Sequence, residues 1–204
     1  GQDQQNQIQT QSNLAIQYYN AREFEKAAPL LFGVYELSKN SFYFKYYLDC
    51  LIQLQRYPEA EEQIKHEIRK QRPEKPEYYV HWGYILKVQN KIEESKQKYN
   101  KAIEIVKDNR NEYSLLANAF LGWQEYEFAK QTYLKGEKTQ GAGVFDYELA
   151  RVYSYLLDYT NMMEKYLDLL KQSEDRLPQV QSGLSSTMRF DIDDEMLEIF
   201  REQV

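Results

Sequence analysis

One side-chain pattern recurs five times along the chain and constrains its fold more than any other feature. A bulky residue stands at Phe24, Tyr57, Ile92, Tyr126 and Tyr159, at separations of 33, 35, 34 and 33 residues. Three residues on comes a mostly small side chain: Ala27, Ala60, Ser95 and Ala129, with Met162 the exception. Four further on a large one returns: Leu31, Ile64, Tyr99, Tyr133 and Tyr166. Upstream, a second series keeps step: Leu14-Ala15 with Tyr18, Tyr47-Leu48 with Leu51, Trp82-Gly83 with Leu86, Leu116-Ala117 with Phe120, and Leu149-Ala150 with Tyr153. Offsets of three and four put such residues on one face of a helix with about 3.6 residues per turn. The small residues let two helices approach closely, and the large ones fill the grooves beside them. A single hairpin of this kind cannot bury its apolar stripe, so consecutive hairpins must stack.

The segments between these positions suit that reading. Only 8 Gly and 5 Pro occur among 204 residues, and good helix formers dominate elsewhere. Within pairs, Asn20-Ala21-Arg22-Glu23, Gln55-Arg56, Gln89-Asn90-Lys91 and Leu157-Asp158 are short polar breaks. Between pairs, Pro73 and Pro76, Asp108-Asn109-Arg110-Asn111 and Gly141-Ala142-Gly143 end one helix and start the next. The aromatic fraction is 15%, with 19 Tyr, and recurrence at fixed offsets assigns many of these rings to packing.

At these positions the pattern resembles the tetratricopeptide repeat, a helix hairpin of about 34 residues. The resemblance covers residues 8–176 as five repeats, about 8–40, 41–75, 76–109, 110–142 and 143–176. Residues 1–7 then form a flexible N-terminal segment and 177–204 capping or continuing helices. It implies an all-α fold, a right-handed superhelix (solenoid) of about five hairpins plus C-terminal helices. The departures are Met162 and Glu67, which stand where small residues are expected, and a helix-ending proline that appears clearly only as Pro73.

In such arrays the first helix of each pair lines a concave groove. Carried over by register, the partner-binding candidates are Ile16, Tyr19 and Asn20; Lys45, Asp49 and Gln53; Tyr84 and Lys87; Ser114 and Asn118; and Tyr147, Arg151 and Tyr155. Tyrosine offers large contact area with a polar tip, which suits a peptide or an extended segment. The alternative for each tyrosine is that it finishes the packing between neighbouring first helices. A receptor for C-terminal carboxylates is disfavoured: Lys45 is followed by Asp49 rather than Asn, the third repeat offers Val80 and Tyr84, and only Asn118 and Arg151 fit.

After residue 176 the period fails. Leu177-Pro178 reads as a helix start, with Val180 and Leu184 at helical spacing. Phe190-Asp191-Ile192-Asp193 offers a further helix entrance, followed by Met196, Leu197, Ile199, Phe200 and Val204 on one side. Either this is a capping helix or the native chain continues. The stretch from Phe145 to Thr187 also resembles segments of larger bacterial cell-envelope repeat proteins.

The chemistry of most enzymes is missing. His66 and His81 are isolated, with no His-Glu-x-x-His pattern, and no glycine-rich phosphate loop or nucleophile elbow occurs. His66 reads as solvated, His81 as a packing residue and Cys50 as a small buried hydrophobe. The expectation is a protein that is not an enzyme and has no cofactor and no metal. A net charge of −6 gives no reason to seek a phosphate backbone, so nucleic acid is not an expected partner. No apolar run approaches the ~20 residues that cross a bilayer. The start at Gly1-Gln2-Asp3 reads as a trimmed or processed end, compatible with an exported periplasmic or envelope protein, with the cytoplasm as alternative. Protein or peptide is the expected partner, the oligomeric state is open, and the main reading is an interaction scaffold. A structural segment of a larger envelope protein and a carbohydrate- or small-ligand-binding protein are the alternatives.

Overall fold

A computed structural model of the chain describes residues 2–70 and 72–188. Ten helices alternate in pairs: α1 (Gln2–Asn20) with α2 (Phe24–Ser38), α3 (Ser41–Gln53) with α4 (Tyr57–Lys70), α5 (Pro76–Val88) with α6 (Ile92–Ile105), α7 (Arg110–Leu121) with α8 (Tyr126–Gln140), and α9 (Asp146–Tyr155) with α10 (Tyr159–Gln172). A 3-10 turn at Glu174–Arg176 leads into α11 (Leu177–Met188). Among the described residues there is no strand, and the all-α class is as expected. The five bulky residues of the period are the first residues of α2, α4, α6, α8 and α10. Helix α1 takes in residues 2–7, where a loose lead was expected; that stretch has no Gly or Pro to break it. The expected second C-terminal helix, Phe190 to Val204, lies outside the described residues.

Every turn within a pair has one geometry. Arg22, Gln55, Asn90, Gln124 and Leu157 adopt left-handed conformations with φ between 57° and 64°. The next residue's amide then donates back to the carbonyls of Tyr18, Leu51, Leu86, Phe120 and Tyr153, over 2.8–3.0 Å. This is the helix-ending Schellman arrangement, in which a left-handed residue lets late amides satisfy orphan carbonyls. The five acceptors are the large first-helix residues of the sequence period, so packing and turn share one register. Caps are placed with similar economy: Asn40 accepts from the Phe42 amide, Asn109 from Glu112 and Asp158 from Asn161.

The chain divides into two compact units, residues 1–102 and 103–204. In the first, α2 packs against both α1 and α3. The small positions Ala15, Ala27 and Ala60 are fully buried beside Leu31, Leu48, Leu51 and Ile64. Gly83 of α5 is required by its neighbour, since a Cβ there would fall 2.3 Å from the Tyr99 ring of α6. Glu67, which breaks the small-residue rule, is buried with its carboxylate accepting from the Tyr35 hydroxyl at 2.6 Å. The Tyr78 hydroxyl stands 3.0 Å from that of Tyr35 and completes the cluster. His81 is buried against the rings of Phe44 and Tyr78, and burial with the nearby Lys45 charge pushes its pKa down to about 3. Cys50 is buried too, its thiol pushed up to about 12 by burial, whereas His66 is exposed. These three residues are placed as expected.

In the second unit, α7 packs on α8 and α9 on α10, with α8 against α9 and α11 against α9 and α10. Gly136 plays the part of Gly83, a Cβ there falling 2.5 Å from the Phe145 ring. Met162, the other departure, is fully buried and faces α11: the Thr187 hydroxyl lies 3.9 Å from its sulfur. A flexible thioether suits a position that meets an irregular element instead of another repeat.

Candidate functional site

Helix α9 is fixed at its first turn by a nearly buried ionic cluster. The Asp146 carboxylate accepts from Lys165 of α10 at 2.8 Å and from Gln172 at 2.8 Å. Glu137 of α8 reaches the same lysine at 3.2 Å and accepts from the Gly143 amide. Burial works against the Lys165 charge, but the hydrogen bond and field of Asp146, with Glu137 beside it, outweigh that and hold its pKa above the usual value. Three helices are thereby locked around one ammonium, and the face of α9 that carries Tyr147, Arg151 and Tyr155 is set by that lock.

Those three residues border two adjoining recesses. One, of about 670 Å³, lies among α9, α10 and α11 and is lined by Tyr147, Arg151, Ser154, Tyr155 and Leu157, with Tyr159, Tyr166, Gly183, Ser186 and Thr187. The other, of about 210 Å³, is bounded by Ser114, Asn118 and Leu121 of α7 with Tyr133, Glu148 and the same Tyr147, Arg151 and Tyr155. Arg151 is exposed; it donates to the Tyr155 hydroxyl at 3.4 Å and lies 6.0 Å from the Tyr147 ring centre. It forms no ion pair among the described residues, whereas Glu148 is met by Arg110 at 3.8 Å. Tyr155 stacks one face on Tyr126, centroids 4.9 Å apart, and leaves 46% of its surface open.

Of the candidates expected from the sequence, Ser114, Asn118, Tyr147, Arg151 and Tyr155 therefore come together in the second unit. In the first unit another group meets. The Tyr19 hydroxyl donates to Asp49, which also accepts from Gln53, and Tyr19 lies edge-on to Tyr46 at 4.6 Å. Lys45 covers the Tyr46 ring at 4.8 Å, and burial lowers its pKa. Asn20 is exposed at the end of α1; Tyr84 is half-buried and Lys87 exposed on α5. Tyr19, Asp49 and Lys45 are thus tied up in internal contacts.

The register missed Ser154, Leu157, Tyr159, Tyr166, Gly183, Ser186 and Thr187. The period assigns Tyr166 and Tyr159 to packing, which they also do, at 1% and 7% exposure. The α11 residues lie where the period fails; the one signal was Gly183 inside an otherwise helical stretch.

No family model matches the chain, and no curated protein matches it. Among solved structures it is similar to the C-terminal part of a TPR repeat-containing protein from Cytophaga hutchinsonii, at 17% identity and TM-score 0.37, over 78% of this chain and 63% of that one. It is also similar to the P58(IPK) TPR domain, at 11% identity and TM-score 0.39, over 97% of this chain and 64% of that one. The chain thus spans less than two thirds of the length of either. The helices of the chain themselves give the all-α fold of repeated hairpins.

Proposed function

We propose that this chain is a tetratricopeptide-type interaction module that holds a peptide or an extended partner segment on the α9 face of its second unit. The supporting observation is convergence. Five residues picked out by repeat register alone, Ser114, Asn118, Tyr147, Arg151 and Tyr155, border the two adjoining recesses. The face has the composition of a recognition surface: half-exposed aromatic rings around one cation, Arg151, that forms no ion pair among the described residues. Helices locked through Lys165 make it a stiff platform, so little ordering entropy opposes binding.

The test is selection of peptides from a displayed random library on the purified chain, followed by titration of the winners. The pair Tyr147→Ala and Arg151→Ala should weaken binding at least about tenfold, the loss of one or two central contacts. Selected peptides that bind the pair variant as well as the parent, with helical content unchanged, would move the partner site elsewhere.

The alternative to this reading is a structural segment of a larger envelope assembly. It is tested by whether a native partner recovered by crosslinking at position 151 is itself a component of that assembly.

A further inference from the structure

The 670 Å³ recess has features that a flat peptide platform does not need. Its volume falls within the roughly 300–1,000 Å³ of small-molecule clefts. Four tyrosine rings contribute to its walls, and among the described residues that line it Arg151 is the one charged side chain. In a chain of net charge −6, a described lining whose charge is positive is selective by sign.

A second feature lies in its wall. The Tyr166 hydroxyl is buried and has no hydrogen-bond partner among the described residues. Burial pushes its pKa up to about 12, so it is a neutral donor at ordinary pH. Gly183 stands directly over it: a Cβ at that position would fall 2.1 Å from the hydroxyl oxygen. Glycine therefore lets α11 close directly over the Tyr166 hydroxyl, which forms a sealed part of the wall.

We infer that the recess among α9, α10 and α11 is a binding site for a small aromatic carboxylate. The carboxylate sits on the Arg151 guanidinium, a fork that matches two carboxylate oxygens, and the ring packs among Tyr147, Tyr155 and Tyr159. A single arginine with no second cation among the described lining residues suits a monoanion; a phosphate dianion would keep an unneutralised charge. Tyr147, Arg151 and Tyr155 also belong to the partner face, so ligand and partner would compete there.

The experiment titrates the whole chain with 2-naphthoate and its neutral isostere 2-naphthamide, by calorimetry and by amide chemical-shift mapping. Naphthoate should bind at least about tenfold more tightly than the amide, with shifts at residues 147–159 and 183–187. Arg151→Gln should erase that preference. Tyr166→Phe should leave naphthoate binding unchanged, because its hydroxyl is sealed in the wall. Naphthoate that fails to bind up to about 1 mM, binds the amide equally, or ignores Arg151→Gln overturns the inference. Retained binding of selected peptides in that event leaves the partner reading standing.

Discussion

The Tyr35 hydroxyl donates to the carboxylate of Glu67 over 2.6 Å, and neither side chain reaches solvent appreciably. The two residues belong to the second helices of consecutive pairs, α2 and α4, and Tyr78 of α5 adds a second hydroxyl 3.0 Å from the first. A position reserved elsewhere for small side chains is thus filled by an acid because the Tyr35 hydroxyl, itself backed by Tyr78, and the neighbouring Lys70, 3.9 Å away, satisfy it. The departure from the repeat pattern is compensated locally, three helices at once.

Removing one partner from this cluster should therefore hurt more than the size of the side chain implies. Tyr35→Phe leaves a buried carboxylate short of its donor and is expected to lower unfolding free energy by about 2–3 kcal/mol. Glu67→Ala should cost at least as much, and the double variant clearly less than the sum. Urea unfolding of the four proteins measures the coupling; additive losses would mean that the bond contributes nothing specific.

The buried imidazole of His81 sets a pH dependence. Its folded pKa of about 3 lies below the unfolded value near 6.5, so between those limits the unfolded chain binds the extra proton. Its contribution to stability is complete above pH ~6.5 and falls as the pH drops, at up to about 1.4 kcal/mol per unit, down to about pH 3. Denaturation midpoints of the parent and His81→Gln, compared from pH 7 to 4, should diverge by that slope. Parallel curves would contradict it.

The five left-handed turns differ in how well their residue suits the conformation. Asn90 tolerates it, but Leu157 does so poorly, and 70% of its surface is exposed. Left-handed backbone costs a non-glycine residue about 1–2 kcal/mol, and glycine returns part of that gain as chain entropy. Leu157→Gly is expected to stabilise the chain by about 0.5–1 kcal/mol, read as a rise in thermal midpoint. A fall would show that the leucine side chain contributes packing that outweighs the strain.

Lys165 is the keystone of the α9 anchor. Lys165→Met would strand Asp146, 2% exposed, and Glu137 without their cation. A loss of about 3–5 kcal/mol is expected by chemical denaturation. A loss under 1 kcal/mol would mean that Gln172 alone suffices for Asp146.

The hairpins could be read from the sequence because packing period, turn position and second-helix start are one register. Phe24, Tyr57, Ile92, Tyr126 and Tyr159 each open a helix because each stands two residues past a left-handed turn. The turn at Gln124 was not singled out, since Gly122 and Trp123 beside it do not read as a polar break. Glu67 looked like a blemish because its partner lies 32 residues upstream, and no local pattern announces such a bond. The recess was half visible: register supplied Tyr147, Arg151 and Tyr155, while Ser186 and Thr187 come from α11, which follows no repeat.

Amide hydrogen exchange of the chain with and without a selected peptide tests the central claim most directly. Binding on the α9 face predicts added protection in residues 114–121 and 147–155, abolished by Tyr147→Ala with Arg151→Ala. Protection confined to residues 16–53, or unaffected by that pair, would contradict it.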